Sequence, residues 1–318
     1  MYGAPSWRRL APLLLLIAIG FALPRLLAAY YLYLGNVLMM YAVLALGLDI
    51  LIGRAGQFAV AQTAFFGIGC YTTALLNANH GIPFVVGMPL GALLAGLVAT
   101  AIALPATRLR DVYLALATYA FAEGAQWVFN SWTSVTNGVD GVGIRPTHLF
   151  GLTVRSDSDA FPVMAGILAL VLAATLYLAT SRFGRSMAAI RESEHVALAS
   201  GVDVRRIKVL AFALSGVYAG IAGGMFTLYQ SFVNPEQFGF VTIVLLLSMI
   251  VVGGLGTIPG VLIGVALLGL LPELLRTVLR SVQIWQELAY GLILILTMMF
   301  MPRGVWGFIR DLVERTRQ

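Results

Sequence analysis

Glu123 and Gln126 stand one helical turn apart within the apolar run 111–132, on one face of any helix formed there. An ionisable group in the middle of such a run costs several kcal/mol unless it is paired or hydrated, so it marks a place where a polar solute could be handled. A bond to a neighbouring helix, with no solute contact, is the alternative. A second candidate is the stretch from Leu51 to Thr63, where Gly53, Arg54, Gly56, Gln57, Gln62 and Thr63 interrupt an otherwise apolar pattern. Irregular polar backbone is tolerated at membrane depth only inside protein or beside a water-filled cavity. The stretch is therefore either the lining of a pathway or a plain inner turn anchored by Arg54, and Asp49 is expected to pair with Arg54 or a helix terminus. Gly253, Gly254 and Gly256, followed by Pro259, form a third interruption and a third pathway candidate.

Other chemistries are excluded. There is no Gly-x-x-x-x-Gly-Lys-Ser/Thr signature and the one lysine, Lys208, begins an apolar run, so the chain is not expected to hydrolyse ATP. His80, His148 and His195 are scattered, and Cys70 is the one cysteine, within an apolar run. Neither a metal site nor a disulfide is expected, and no serine, histidine and acid arrangement argues for hydrolysis.

The elements that position these groups must be membrane helices. Apolar residues make up 60% of the 318 and charged residues 11%, against roughly 45–50% and about 25% in soluble domains. The expected fold is all-α and polytopic, a single transmembrane domain over 1–318. Spans are expected near 10–28, 34–52, 58–78, 84–104, 111–132, 161–180, 208–230, 240–256, 258–275 and 286–302. Arg8 and Arg9 before the first run imitate a secretory signal, but the many spans that follow predict an uncleaved first span. With both termini cytoplasmic, the inner side receives Arg8, Arg9, Arg54, Arg108, Arg110, Arg182, Arg185, Arg191, Arg205, Arg206, Lys208, Arg303, Arg310, Arg315 and Arg317, most of the 20 positive residues. The net charge of +6 is thus a topology signal rather than a mark of nucleic acid binding. Splitting 239–275 into two spans at Gly253 to Gly260 keeps the arginines of the tail inside. Two five-span halves of opposite orientation, the second starting near Phe161, would make an inverted repeat. Glycine-rich interruptions in both halves, Phe66-Gly67-Ile68-Gly69 and Gly253-Gly254-Leu255-Gly256, are its support.

Between two of these runs lies the basic segment Ser181 to Lys208, too charged for hydrocarbon. Gly184 is expected to break the preceding span, and Arg185 to Arg191 to form a short helix with Met187 and Ile190 on one side. Ser193 is a plausible N-cap for a second helix, Glu194 to Ser200, stopped by Gly201, and Asp203 can cap the next span. The apolar faces, with Met187, Ile190, Val196 and Leu198, would enter a groove on another protein, the arrangement of a transporter worked by a separate motor. On the other side, the long loop Thr133 to Ala160 contains Asn137, Gly138 and Asp140 in turn-forming sequence, suited to a gate, to an external partner's landing site, or to a solvated turn.

Three stretches, Gly53-Arg54-Ala55-Gly56-Gln57 running into Ala64 to Thr72, Thr136-Asn137-Gly138-Val139-Asp140-Gly141, and Ser181 to Val202, resemble the permease family of branched-chain amino acid ABC importers, in particular its LivM-type subunit. Val252 to Gly260 is of the same kind. The resemblance implies a bacterial or archaeal inner-membrane importer with four kinds of contact: a homologous second permease, two cytoplasmic ATPase subunits, an extracytoplasmic binding protein and membrane lipid. It implies no cofactor in this chain, ATP and Mg being held by the ATPase. It also implies that Arg185, Ile190, Arg191, Glu192, Glu194 and Gly201 belong to the loop that couples to that motor. Urea and short-chain amide importers resemble the same family. An ion-coupled carrier relying on Glu123 and a passive channel are the competing readings from other classes.

Overall fold

The computed structural model describes residues 20, 23–25, 27–109, 111–145, 147–149, 152–154, 156–278, 292, 295, 299 and 304–315. Most of the expected spans 10–28 and 286–302 lies outside these residues, as do Arg8, Arg9, Arg110, Arg303 and Arg317.

The described helices are α1 (Ala29–Asp49), α2 (Gln62–His80), α3 (Phe84–Ala106), α4 (Asp111–Ser131), α5 (Thr133–Thr136), α6 (Asp157–Thr180), α7 (Arg182–Glu192), α8 (Glu194–Ala199), α9 (Val204–Tyr229), α10 (Phe240–Gly253), α11 (Ile258–Val278) and α12 (Gly304–Arg315). Four helical stretches, Ala29–Arg54, Phe84–Ala106, Asp157–Thr180 and Val204–Tyr229, are long and apolar enough to cross a membrane by length and composition. In α2, Gln62 and Thr63 at its start and Asn77, Asn79 and His80 at its end lower the hydropathy. At 14 residues, α10 rises only ~21 Å, and it is shielded by α11, α1 and α12, with Leu246, Met249 and Ile250 inaccessible.

Helix ends follow local chemistry. α2 stops at Gly81, whose left-handed φ of 63° lets the N–H groups of Gly81 and Ile82 bond to the carbonyls of Asn77 and Leu76. Pro83 then starts α3 at once. α6 opens with a reciprocal cap between Ser156 and Asp159. It ends at Ser181 rather than at Gly184: the Ser181 hydroxyl accepts from the Gly184 N–H and caps α7. Gly184 lies inside α7, against the Leu178 and Ala179 carbonyls, where a side chain does not fit.

The centre of the bundle is α9, which packs most extensively on α3, then on α2 and α1. Small residues let the backbones close up: a Cβ on Gly220 would sit 2.5 Å from Ala92 Cα, and one on Gly216 2.8 Å from the Ala95 carbonyl. Such close approach replaces the hydrophobic effect as the source of helix association in lipid. Leu44, Leu46, Phe65, Phe66, Phe212 and Met164 fill the core.

The connection between α4 and α6 is built rather than slack. It holds α5, a 3-10 turn at Gly138–Asp140, and strand β1 (Val142–Gly143). It continues with the hairpin of β2 (Thr147–Leu149) and β3 (Leu152–Val154). β1 pairs antiparallel with β4 (Phe232–Val233), Val142 opposite Val233, which ties this connection to the segment between α9 and α10.

Candidate functional site

Two of the interruptions expected from the sequence, Leu51 to Thr63 and Gly253 to Gly260, contain breaks in helices, and they meet. Phe66-Gly67-Ile68-Gly69 lies within the unbroken α2, where Gly67 and Gly69 serve close packing instead. α1 runs on as a π-helical turn, Ile50–Arg54, and the chain then leaves helical geometry through Gly56 at φ 67°. α10 and α11 are separated at 254–257, with Gly254 at φ 123° and Gly256 at φ 79°. Asp49, fully buried at the end of α1, joins the two breaks: one carboxylate oxygen accepts the N–H of Gly256 at 2.7 Å, the other accepts from Arg54 Nε at 3.3 Å. Arg191, at the end of α7, donates through Nη1 to the carbonyl of Gly53. Its backbone also covers Gly56, where a Cβ would lie 3.2 Å from Arg191 Cα. Gly304, the first residue of α12, packs against Gly254. The α1–α2 break, the α10–α11 break, α7 and the start of α12 therefore share one face of the protein. Gly53, Arg54, Arg191, Glu192 and Gly256 line a cavity of about 410 Å³ there.

The short helices are anchored as their sequences ask. Ser193 Oγ accepts from Val196 N, Gly201 turns at φ 79°, and Asp203 Oδ1 accepts from Arg206 N. Met187 and Ile190 do not wait for a partner's groove: they are 1% and 6% exposed, Ile190 packing with Ala197 and Val204 of the same chain. Glu194 bonds to Lys208 at 2.7 Å, which fastens α8 to α9. Val196 and Leu198 are the apolar side chains left outward.

Away from this face, α2 presents Gly67 and Tyr71, one turn apart, to Phe129 of α4 and to Phe238 of the 3-10 turn Pro235–Phe238. Tyr71, Phe129 and Phe238 stack on one another with centroids 5.0–5.8 Å apart, and Phe66 adds a fourth ring at 5.2 Å from Phe238. This cluster closes the space between α2 and α4. The Tyr71 hydroxyl, Thr63 Oγ1 and both amide atoms of Gln57 are buried without a hydrogen-bond partner among the described residues. Glu123 is half-buried with the Tyr119 hydroxyl beside it, and Gln126 reaches Gly239 before α10. Gln62 is apart from this group. Its amide bonds to the carbonyls of Leu44 and Ser215 and accepts from Ser215 Oγ, joining α1, α2 and α9.

On the opposite end from α7, Asn137 adopts φ 61° and donates to the Gly141 carbonyl at 3.0 Å. It lines a cavity of about 420 Å³ with Asn79, Ser134 and Arg145, while Gly138 is buried and Asp140 exposed. Sequence reasoning missed Tyr71, Phe129 and Phe238 as a cluster. The one signal was Asn234-Pro235-Glu236-Gln237-Phe238-Gly239, a turn between two apolar runs.

A family model for the permease component of branched-chain amino acid transport systems matches residues 30–298. The chain is 31% identical over 322 aligned residues to the high-affinity branched-chain amino acid transport permease LivM of Escherichia coli K12, covering 94% of this chain and 75% of that protein. The same figures hold for LivM of Salmonella typhimurium LT2. LivH of E. coli K12 is 27% identical over 84% of this chain and 91% of its own length. No solved structure matches the chain significantly. The helical bundle with its paired breaks and fastened short helices thus belongs to the permease components of branched-chain amino acid transport systems.

Proposed function

We propose that this chain is the membrane-spanning subunit of an ATP-driven importer for branched-chain or similar hydrophobic amino acids, set in a bacterial or archaeal inner membrane with α7 and α8 on the cytoplasmic side. The carrying observation is the state of α8: its frame is fixed by Ser193, Lys208 and Ile190, yet Val196 and Leu198 stand 64% and 53% exposed on it. A rigid lever with an uncovered apolar face suits docking to another protein. Two ATPase subunits that bind ATP and Mg would press on this lever, while a homologous second permease packs alongside. A binding protein would deliver solute to the outer end, over the cavities that Asn137, Arg145 and Asp157 line.

Inward passage would then run along the α2 face, past the aromatic cluster of Phe66, Tyr71, Phe129 and Phe238. Rings suit a branched side chain, and Thr63, Gln57 and Glu123 offer polar groups for the α-amino and carboxylate ends. Alternating access requires the cluster to part as the helices repack.

Purification of the chain with its co-expressed chromosomal neighbours tests the docking. An ATPase should co-purify with the wild type, and the pair Val196→Glu and Leu198→Glu should release it while the helical content stays unchanged. Retention of the ATPase by that double variant would remove α8 as the docking element.

A further inference from the structure

The coupling loop is joined in sequence to α6 and α9, so its movement should reach those two helices first. The structure offers a second route, which rests on the reading of α7 and α8 as the motor's lever. Arg191 holds the carbonyl of Gly53, 138 residues away, and Asp49 holds the N–H of Gly256, 207 residues away. Gly53 itself lies so close to the Asp49 carboxylate and the Gly256 backbone that a Cβ does not fit. A Cβ on Gly256 would come within 2.6 Å of Arg191 Nη1 and 2.7 Å of the Gly53 carbonyl. Arg191, Gly53, Asp49 and Gly256 are thus in contact in series.

We infer that Asp49 and Arg191 are positioning residues that transmit displacement of α7 to the α1–α2 and α10–α11 breaks, so that four helices remote in sequence move with the lever. The chemistry suits a link. The Arg191 guanidinium carries a fixed fork of donors and ends a helix that the motor would push. The Asp49 carboxylate is inaccessible, and its two oxygens are divided between a cation on one break and a backbone donor on the other. Breaking the contacts of the inaccessible Asp49 carboxylate would leave a charge unpaired in low dielectric, so these should hold through a rigid shift, while the partly buried bond from Arg191 couples α7 to them. The breaks themselves are where the backbone can hinge: a π turn followed by Gly56 on one side, Gly254 and Gly256 on the other. The α1–α2 break carries Gln57 and α2 carries Thr63 and Tyr71 of the proposed passage, so motion at the first break would act on it directly.

The test is a double-variant cycle in the assembled complex in proteoliposomes, reading solute molecules imported per ATP hydrolysed together with the melting temperature. Arg191→Met keeps the stem and removes the donor. Asp49→Asn keeps an acceptor for Gly256 and removes the charge that holds Arg54. Each single variant should lower the import-to-ATP ratio by about tenfold, within the range typical of coupling between sites. The double variant should fall no further than the worse single, because residues in series are not additive. Arg191→Lys, which retains charge and one donor, should restore part of the ratio. An unchanged ratio in Arg191→Met, or independent losses that multiply in the double variant, would overturn the link. If Asp49→Asn fails to assemble, Arg191→Met and Arg191→Lys decide alone. A wild-type complex without ATP-driven import would instead remove the transport reading on which the link rests.

Discussion

Buried polar side chains in this protein fall into two groups. Gln62, Ser215 and Thr118 are bonded to other helices or segments, so their polar atoms serve as joints within the bundle. Asn36 is a joint through Nδ2, which donates to the Asp157 carbonyl, while its Oδ1 is buried without a partner among the described residues. Gln57, Thr63 and Tyr71 have buried polar atoms that no described protein group satisfies. Leaving such an atom unpaired costs about 1–3 kcal/mol, and a passage for a polar solute is a physical reason to keep it. Glu123 belongs with the second group by position, half-buried beside Tyr119 and close to Gln126. Glu123→Gln preserves shape and removes charge, and we expect it to lower uptake at least about fivefold with an unshifted melting temperature, since its loss removes no buried ion pair. Equal uptake with a lowered melting temperature would make Glu123 a joint like Gln62. The caps at Ser193 and Asp203 were legible because a capping oxygen and its N–H lie within three residues. The full role of Asp49 was not: the sequence pointed to Arg54 nearby, whereas Gly256 is distant along the chain and is brought close only by the fold.

At the scale of elements, the helices of residues 29–278 start and stop close to the polar and glycine-rich breaks between apolar runs. Four of the described stretches are long and apolar enough to cross a membrane, where a helix closes its own backbone hydrogen bonds. Their mutual packing was not legible, since a stripe of small residues shows that a neighbour comes close without showing which. α2, α3 and α9 meet at Gly69, Gly91, Gly220 and Gly223, where backbone atoms of one helix occupy the space of a side chain on the next. We expect Gly220→Ala to destabilise the protein by about 1–3 kcal/mol, as overpacking does, read as a lower melting temperature in detergent. The same change at Gly166, which meets nothing within 4 Å, should leave it unaltered. Comparable melting of the two variants would show that the three-helix contact is looser than described. The outer connection was expected as a loop with turn chemistry. Its pairing of β1 with β4 was hidden because strands of two residues carry no periodicity.

For the whole molecule, polarity is the organising fact. One end gathers α7, α8, both helix breaks and the start of α12; the other gathers β1, β4, the 3-10 turns and the two outer cavities. Between them the aromatic cluster closes the space along α2. In the proposed reading, the first end would be the lever for an external motor, the second the delivery surface, and the middle would open to each in turn. The most direct measurement is accumulation of labelled leucine by proteoliposomes holding the complete complex, with ATP or ADP trapped on the α7 side and the binding protein outside. Accumulation that requires ATP, persists with ionophores and is not reproduced with urea or acetamide is the predicted result. Uptake driven by an ion gradient without ATP, or equilibrating flux through this chain alone, would contradict the account.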